Sequence, residues 1–455
     1  MSEENQTALA EIFTPPLPGE WGSEPQGEGD VLVLRAADFT KDCKLRNEVG
    51  VPRFVPAMRL ANRILKNGDL LVEASGGSPN QPAGRVARFN RANDSRTYSF
   101  SNFLQRLQTN PDFDPLFSYY LLVFRYNSGK VLRYQQQTTG IINFKLEQYL
   151  KDRVTVPPRP TQRKIARILQ KADAAMEKTE ALIEKYQQIK AGLMHDLFTR
   201  GLWTQEELDR GDHQGTPVEA TAKAGQLRPS RLDAPQLYHE TPIGWIPKTW
   251  ALLTCSEVCE AVIDCKNRTP PITPEGHPVI RTPNVRDGRF VERNLVFTDS
   301  HSYVIWTYRG KPKPGDIVIT REAPVGEVCR IPERHPQSCL GQRMMLYRTN
   351  PEKIVNEFFL FALQSNQIQT RLDLISGGST VGHVRVGDIR SLWVFLPESK
   401  IEQSRVAEAL SNASLKLEAE DDCLLKLQKQ KAGLMHDLLT GKVPITPDHE
   451  EANDV

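Results

Sequence analysis

No apolar run in this 455-residue chain approaches the roughly 18 residues that a membrane-crossing helix needs, which excludes a membrane span. Cysteine is scarce: seven residues, an odd number scattered through a long chain, fit a reducing compartment better than a disulfide framework. Cys255, Cys259 and Cys265, with His277 nearby, match no paired CxxC spacing and read as ordinary thiols rather than a zinc site. No GxxxxGK[ST] stretch exists, so ATP hydrolysis by a P-loop is excluded. The nearest approach to the NPPY or NPPF signature of base-extruding methyltransferases is Asn110-Pro111-Asp112-Phe113; its third position is Asp, no Gly-rich cofactor loop accompanies it, and it reads as a turn. Basic residues are missing from the start: residues 1–30 hold seven acids and no Lys or Arg, the opposite of a signal peptide, and the expected location is the cytoplasm.

What the chain does contain is a duplication. Lys190-Ala191-Gly192-Leu193-Met194-His195-Asp196-Leu197 recurs identically as Lys431-Ala432-Gly433-Leu434-Met435-His436-Asp437-Leu438. The offset of 241 holds without a gap back to Gln162 and Gln403, and an offset of 240 relates Asn143–Pro157 to His383–Pro397. Earlier still, Gly68-Asp69-Leu70 matches Gly315-Asp316-Ile317, and Val33-Leu34-Arg35 matches Val279-Ile280-Arg281. A period this long is the doubling of a whole domain, unlike the short periods of solenoids.

Each half reads as a strand-dominated α+β domain followed by a long helix. Short β-rich runs at Asp69–Val72, Asp316–Thr320 and Leu392–Leu396 are separated by Gly and Pro turns, and a helical stretch runs around Phe358–Leu372. Ile165, Leu169, Ala172, Met176, Thr179, Ile183 and Tyr186 alternate spacings of four and three, as do Val406, Leu410, Ala413, Leu417, Glu420, Leu424 and Leu427. A stripe about 31 residues long, roughly 46 Å, is too long to be covered by one small domain, so the two helices are expected to pair as an antiparallel coiled coil. Gly201 and Gly441 stand where left-handed helix caps belong. Gly192 and Gly433, costly inside a helix, suggest close approach by another helix.

The resulting division is an acidic segment at 1–30, a first domain at 31–160, a central helix at 161–202, a linker without a core of its own at 203–240, a second domain at 241–397, a C-terminal helix at 398–442 and an acidic tail at 443–455. Charge is uneven: residues 31–160 carry 20 Lys plus Arg against 10 Asp plus Glu, and residues 241–397 carry 19 against 15. Basic domains between acidic ends suit a polyanion partner. His195 and His436 each precede an Asp, but the helix dipole explains a histidine near a C-terminus and nothing supplies a nucleophile.

This arrangement resembles the specificity subunit of type I restriction-modification systems. The resemblance rests on Gln162-Arg163-Lys164-Ile165-Ala166 leading into the Lys190–Leu197 octet, on the second octet, on Ile243-Gly244-Trp245-Ile246-Pro247-Lys248-Thr249-Trp250 as entry to a target-recognition domain, and on Gly315-Asp316-Ile317 and Gly377-Gly378-Ser379 through Val384 to Leu396-Pro397. No such IGxIPxxW entry precedes the first domain. The resemblance implies two target-recognition domains, each reading half of a split double-stranded DNA target, with paired helices as spacer. It also implies two methyltransferase subunits docked on the helices, restriction and motor subunits beyond them, and no catalytic centre or cofactor in this chain. S-adenosylmethionine, ATP and Mg then belong to the partners. A type IIB specificity subunit and a coiled-coil assembly protein that binds no DNA are the alternatives.

Base edges are read by Arg, Lys, Asn and Gln. The candidates are Arg35, Arg85, Arg88, Arg91 and Arg96 in the first domain, and Arg281, Asn284, Arg286, Arg289, Arg321, Arg343 and Arg385 in the second. Candidates for partner docking are Leu193, Met194, His195 and Leu197, with Leu434, Met435, His436 and Leu438.

Overall fold

The computed structural model describes residues 6–27, 29–78, 80–138, 141–377 and 382–446; Gly378 and Ser379, and the ends of both acidic segments, lie outside them. The chain forms two compact units, Met1–Glu180 with Asp422–Val455, and Ala181–Asp421. Each holds one domain and parts of both long helices.

In the first unit the sheet core is Leu70–Glu73, flanked antiparallel by Leu104–Leu107 and Val86–Arg88, while Val31–Leu34 runs parallel to Tyr98–Phe100. The second unit repeats this with Ile317–Arg321 between Met344–Thr349 and Val325–Arg330, and with Val279–Ile280 parallel to Cys339–Leu340. Gly68 and Gly315 take left-handed backbone (φ 98° and 88°) in the turns that start the central strands. The Asp after each is buried: Asp69 accepts from Gln108, and Asp316 from Arg348 at 2.7 Å. The repeated Gly-Asp is thus a turn that seats a buried carboxylate.

Each domain closes on a strand pair joining its ends, Gln6–Ala8 with Arg153–Thr155 and Trp250–Thr254 with Trp393–Pro397. The first domain therefore starts within the acidic segment, since Leu9, Ile12 and Phe13 are buried in its core. Helix Pro115–Asn127 backs the first core, and Asn356–Leu363 with Asn366–Ile375 the second, where one helix was expected. Asn110–Phe113 is a turn ahead of Asp114, which caps Phe117 N–H.

The central helix spans Arg159–Arg200 and the C-terminal helix Lys400–Leu439. Their heptad positions are buried or half-buried, and the segments run antiparallel within each unit. In the first unit, Ile165 and Leu169 share a core with Met435, Leu438 and Leu439, and Asp173 pairs with Lys431 at 2.6 Å. In the second, Leu197 and Phe198 share a core with Val406, Ala407 and Leu410. Gln162 and Gln403 explain their place in the repeat. Each donates to the carbonyl of the Pro ending its domain, Pro157 or Pro397, at 2.8 Å, and each accepts a backbone N–H, Asp114 or Val355, at 2.8 Å. Gly201 and Gly441 have the left-handed φ expected of caps, 63° and 71°. The close approach expected at Gly192 and Gly433 is absent among the described residues, because a Cβ at either would meet nothing within 4 Å.

The expected linker is built into the second unit. Trp203, Glu207, Arg228 and Tyr238 are all buried. Arg228 donates to Glu207 at 2.7 Å and to Glu402 at 2.6 Å, and Glu402 also accepts from Trp250 Nε1 at 3.1 Å and from Leu202 N–H at 2.8 Å. Burial opposes the charge on Arg228, but Glu402 and then Glu207 outweigh it and raise its pKa above the ordinary value. One paired arginine organises a stretch too poor in large apolar residues to read as a core. Arg228→Met should therefore destabilise the second unit by about 3–5 kcal/mol, because it strands two buried carboxylates. Thermal unfolding of the full chain checks this, and an unchanged melting temperature would refute the assignment.

Candidate nucleic-acid interface

The two domains bring equivalent positions together at one end of their sheets. In the first, Arg35 begins a short turn in which its N–H donates to Asp38 at 2.7 Å. Beside it, Ser75 donates to Asn143 Oδ1 at 2.6 Å. Trp21, Arg35, Ser75, Asn102 and Phe103 line a hollow of about 430 Å³, and Phe103 is 44% exposed. In the second domain Arg281 opens the matching turn, and Glu322 pairs with Arg343 at 2.9 Å and His383 at 3.2 Å. Strand register makes Arg281 the counterpart of Arg35, Glu322 of Ser75, Arg343 of Phe103 and His383 of Asn143. Arg343 sits in left-handed backbone, φ 74°, a conformation that costs about 1–3 kcal/mol for a side-chain-bearing residue and is concentrated at functional sites. The backbones coincide in role, Arg35 and Arg281 share their side chain, and the other three pairs differ.

Three expected DNA contacts are interior instead. Arg85 is buried and donates to Glu73 at 2.9 Å; Arg321 is buried and donates to the Val384 carbonyl at 3.2 Å; Asn284 is buried, accepting from Arg281 N–H and donating to the Val291 carbonyl. Their groups serve the fold, and sequence alone could not show that the partners were in reach. The others reach the surface in different degrees. Arg88 is half-buried, Arg91 donates to the Arg46 carbonyl, and Arg286 lies 3.5 Å from Glu327. Arg289 pairs with Glu418 and Asp421, both at 3.0 Å, and Arg385 is exposed. Arg96 is exposed but engaged: hydrogen bonds from Arg96 and then Tyr98 hold the Asp94 carboxyl well below the usual carboxylate range.

The octets also differ from expectation. Leu197, Met435 and Leu438 are buried, and Leu193, Met194 and Leu434 pack against the same cores. Only His195 and His436 among the docking candidates are exposed, His436 with its ring 6.1 Å from that of Phe124. The octet leucines thus fasten helix to domain, the second octet to the first domain. Among the described residues no cluster of His, Cys, Asp and Glu could hold a metal ion, and no helix is long and apolar enough to cross a membrane.

Sequence reasoning missed Trp21, Ser75, Asn102, Phe103, Asn143, Glu322 and His383. Aligning the halves at Gly68 and Gly315 points to Ser75 and Glu322, but only the strand register assembles the group.

A doubled mixed α/β domain, closed by antiparallel helices and presenting variable side chains on a shared frame, defines a tandem recognition protein. Residues 59–188 and 247–427 match the type I restriction modification DNA specificity domain, and the chain belongs to that family. It is a component that recognises DNA sequence and is not an enzyme. The chain is 23% identical over 354 residues to the type I restriction enzyme MjaVIII specificity subunit of Methanocaldococcus jannaschii, covering 76% of this chain and 74% of the relative. Its fold matches that of the type I restriction-modification S subunit from M. genitalium, with a TM-score of 0.53, 14% identity and coverage of 97% and 96% of the two chains.

Proposed function

We propose that each domain reads one half of a split duplex DNA target through its strand-end group: Arg35, Ser75, Phe103 and Asn143 in the first, Arg281, Glu322, Arg343 and His383 in the second. The observation that carries this is the shared backbone position with unlike side chains at three of the four paired places, which lets one scaffold read two sequences. Exposed Arg96, Arg286 and Arg385, with the half-buried Arg88 and Arg91, supply phosphate contacts, which position a protein without specifying sequence. The paired helices set the gap between half-sites and carry two methyltransferase subunits, to which restriction and motor subunits add in the cytoplasm. S-adenosylmethionine, ATP and Mg are used by those partners.

Single-molecule methylation mapping in cells with and without the gene tests the reading, and adenine methylation at a split sequence should depend on it. Arg343→Ala should relax one position of one half-site, costing about 1–3 kcal/mol of discrimination there. A binding selection on randomised half-sites measures this; uniform weakening across all sequences would make Arg343 a phosphate contact instead.

A further inference from the structure

The duplication is broken where two lysines meet their surroundings. In the first unit Lys431, which opens the second octet, donates to Asp173 at 2.6 Å and lies 5.8 Å from the Tyr120 ring centre; Tyr120 also donates to Asp173 at 2.6 Å, and Lys44 pairs with Glu177 at 2.9 Å. The offset of 241 carries Lys431 to Lys190, Tyr120 to Phe361, Glu177 to Glu418 and Asp173 to Ser414. The geometry repeats: Lys190 lies 5.9 Å from the Phe361 ring centre, and Arg289 takes the place of Lys44 by pairing with Glu418. The acid is gone, and so is the Tyr120 hydroxyl that donates to it. Ser414, in the position of Asp173, has a solvent-shielded hydroxyl with no hydrogen-bond partner, and among the described residues Lys190 has no ion pair. Burial, and then the charge of Arg289, push the Lys190 ammonium below its ordinary pKa. Asp287 and Glu418 offset this only through longer-range charge, and a half-buried cation without a hydrogen-bonded acid is favoured when an anion joins it.

Lys190 borders a cleft of about 1090 Å³ within the second unit, alongside Met194, Ile243, Gln367, Arg371 and Leu374, the last 69% exposed. We propose that this cleft seats an acidic side chain of a protein partner, its carboxylate on Lys190 and an apolar neighbour against Met194, Ile243 and Leu374. Lys190, Arg286, Arg289 and Arg371 outnumber Asp287 and Asp421 in the lining, a balance that suits a single carboxylate; nucleic acid, whose interfaces are strongly positive throughout, is the poorer fit. The inference rests on the reading that methyltransferase subunits dock on the helices. It adds that the two docking faces are unequal, one internally neutralised by Asp173 and the other completed by its partner.

The test titrates the full chain with its methyltransferase subunit by native mass spectrometry at two salt concentrations, comparing wild type with Lys190→Met and Ser414→Asp. The second variant supplies the missing acid from within and keeps the lysine, so its effect cannot be blamed on lost packing of Lys190. Both variants should lose about tenfold in affinity for one methyltransferase copy, leaving a one-to-one complex where wild type holds two. Wild-type stoichiometry and affinity in both variants would overturn the cleft assignment while leaving helix docking intact. Weakened duplex binding with unchanged stoichiometry would make the occupant a phosphate and overturn it as well. If wild type binds no methyltransferase, the docking reading fails and this inference with it.

Discussion

Replacing residues 251–397 by the corresponding domain of a relative should change one half of the methylated sequence completely and leave the other untouched. The strand pair Trp250–Thr254 with Trp393–Pro397 brings the entry and exit of the second domain side by side, so a graft meets the rest of the chain at one joint. Keeping Trp250 outside the graft preserves its hydrogen bond to Glu402, and with it the Arg228 cluster. The core of the grafted region also touches Leu197, Phe198 and Val406 of the helices, so the relative should match at those contact positions. Methylation mapping reads the outcome. Both halves changing would show that the domains do not read independently.

The second large effect concerns spacing. Adding one heptad to each helix, after Thr179 and after Glu420, keeps both apolar seams in register, and these positions fall next to the divisions between the two units. On the proposed reading it lengthens the spacer by about 10 Å, roughly three base pairs at 3.4 Å each. Three base pairs also turn one half-site by roughly 100° on a duplex of about 10.5 base pairs per turn. Selection from a library of variable gaps should return either a longer gap or a large loss of affinity for the original one. Undiminished affinity for the original gap, with both insertions shown to be helical, would end the ruler interpretation.

Much of this architecture was legible because duplication and heptad spacing are patterns along the chain. Identical octets, the paired Gln162 and Gln403, and the cap glycines Gly201 and Gly441 each announce a local geometry that the fold realises. The candidate site was less legible because an arginine's role depends on what lies across space. Arg85 and Arg321 look no different in sequence from Arg88 and Arg343, yet Glu73 and the Val384 carbonyl claim the first two. Residues 203–240 misled for a related reason. Chain segments are judged by their apolar content, and here two carboxylates around a single guanidinium tie the segment down. Phe103 and Ser75 drew no attention, since the commonest base readers are Arg, Lys, Asn and Gln; they matter as the counterparts of Arg343 and Glu322.

The first unit is assembled from two stretches of chain, Met1–Glu180 and Asp422–Val455, whereas the second is the continuous stretch Ala181–Asp421. Met435, Leu438 and Leu439 fill the same core as Leu9, Ile12 and Leu169. On the ribosome, then, order of synthesis and order of completion are opposed: the domain made first waits for the last turns of helix, while the one made second has all its parts beforehand. A nascent chain stalled short of Asp422 would carry a finished second unit and an open first core.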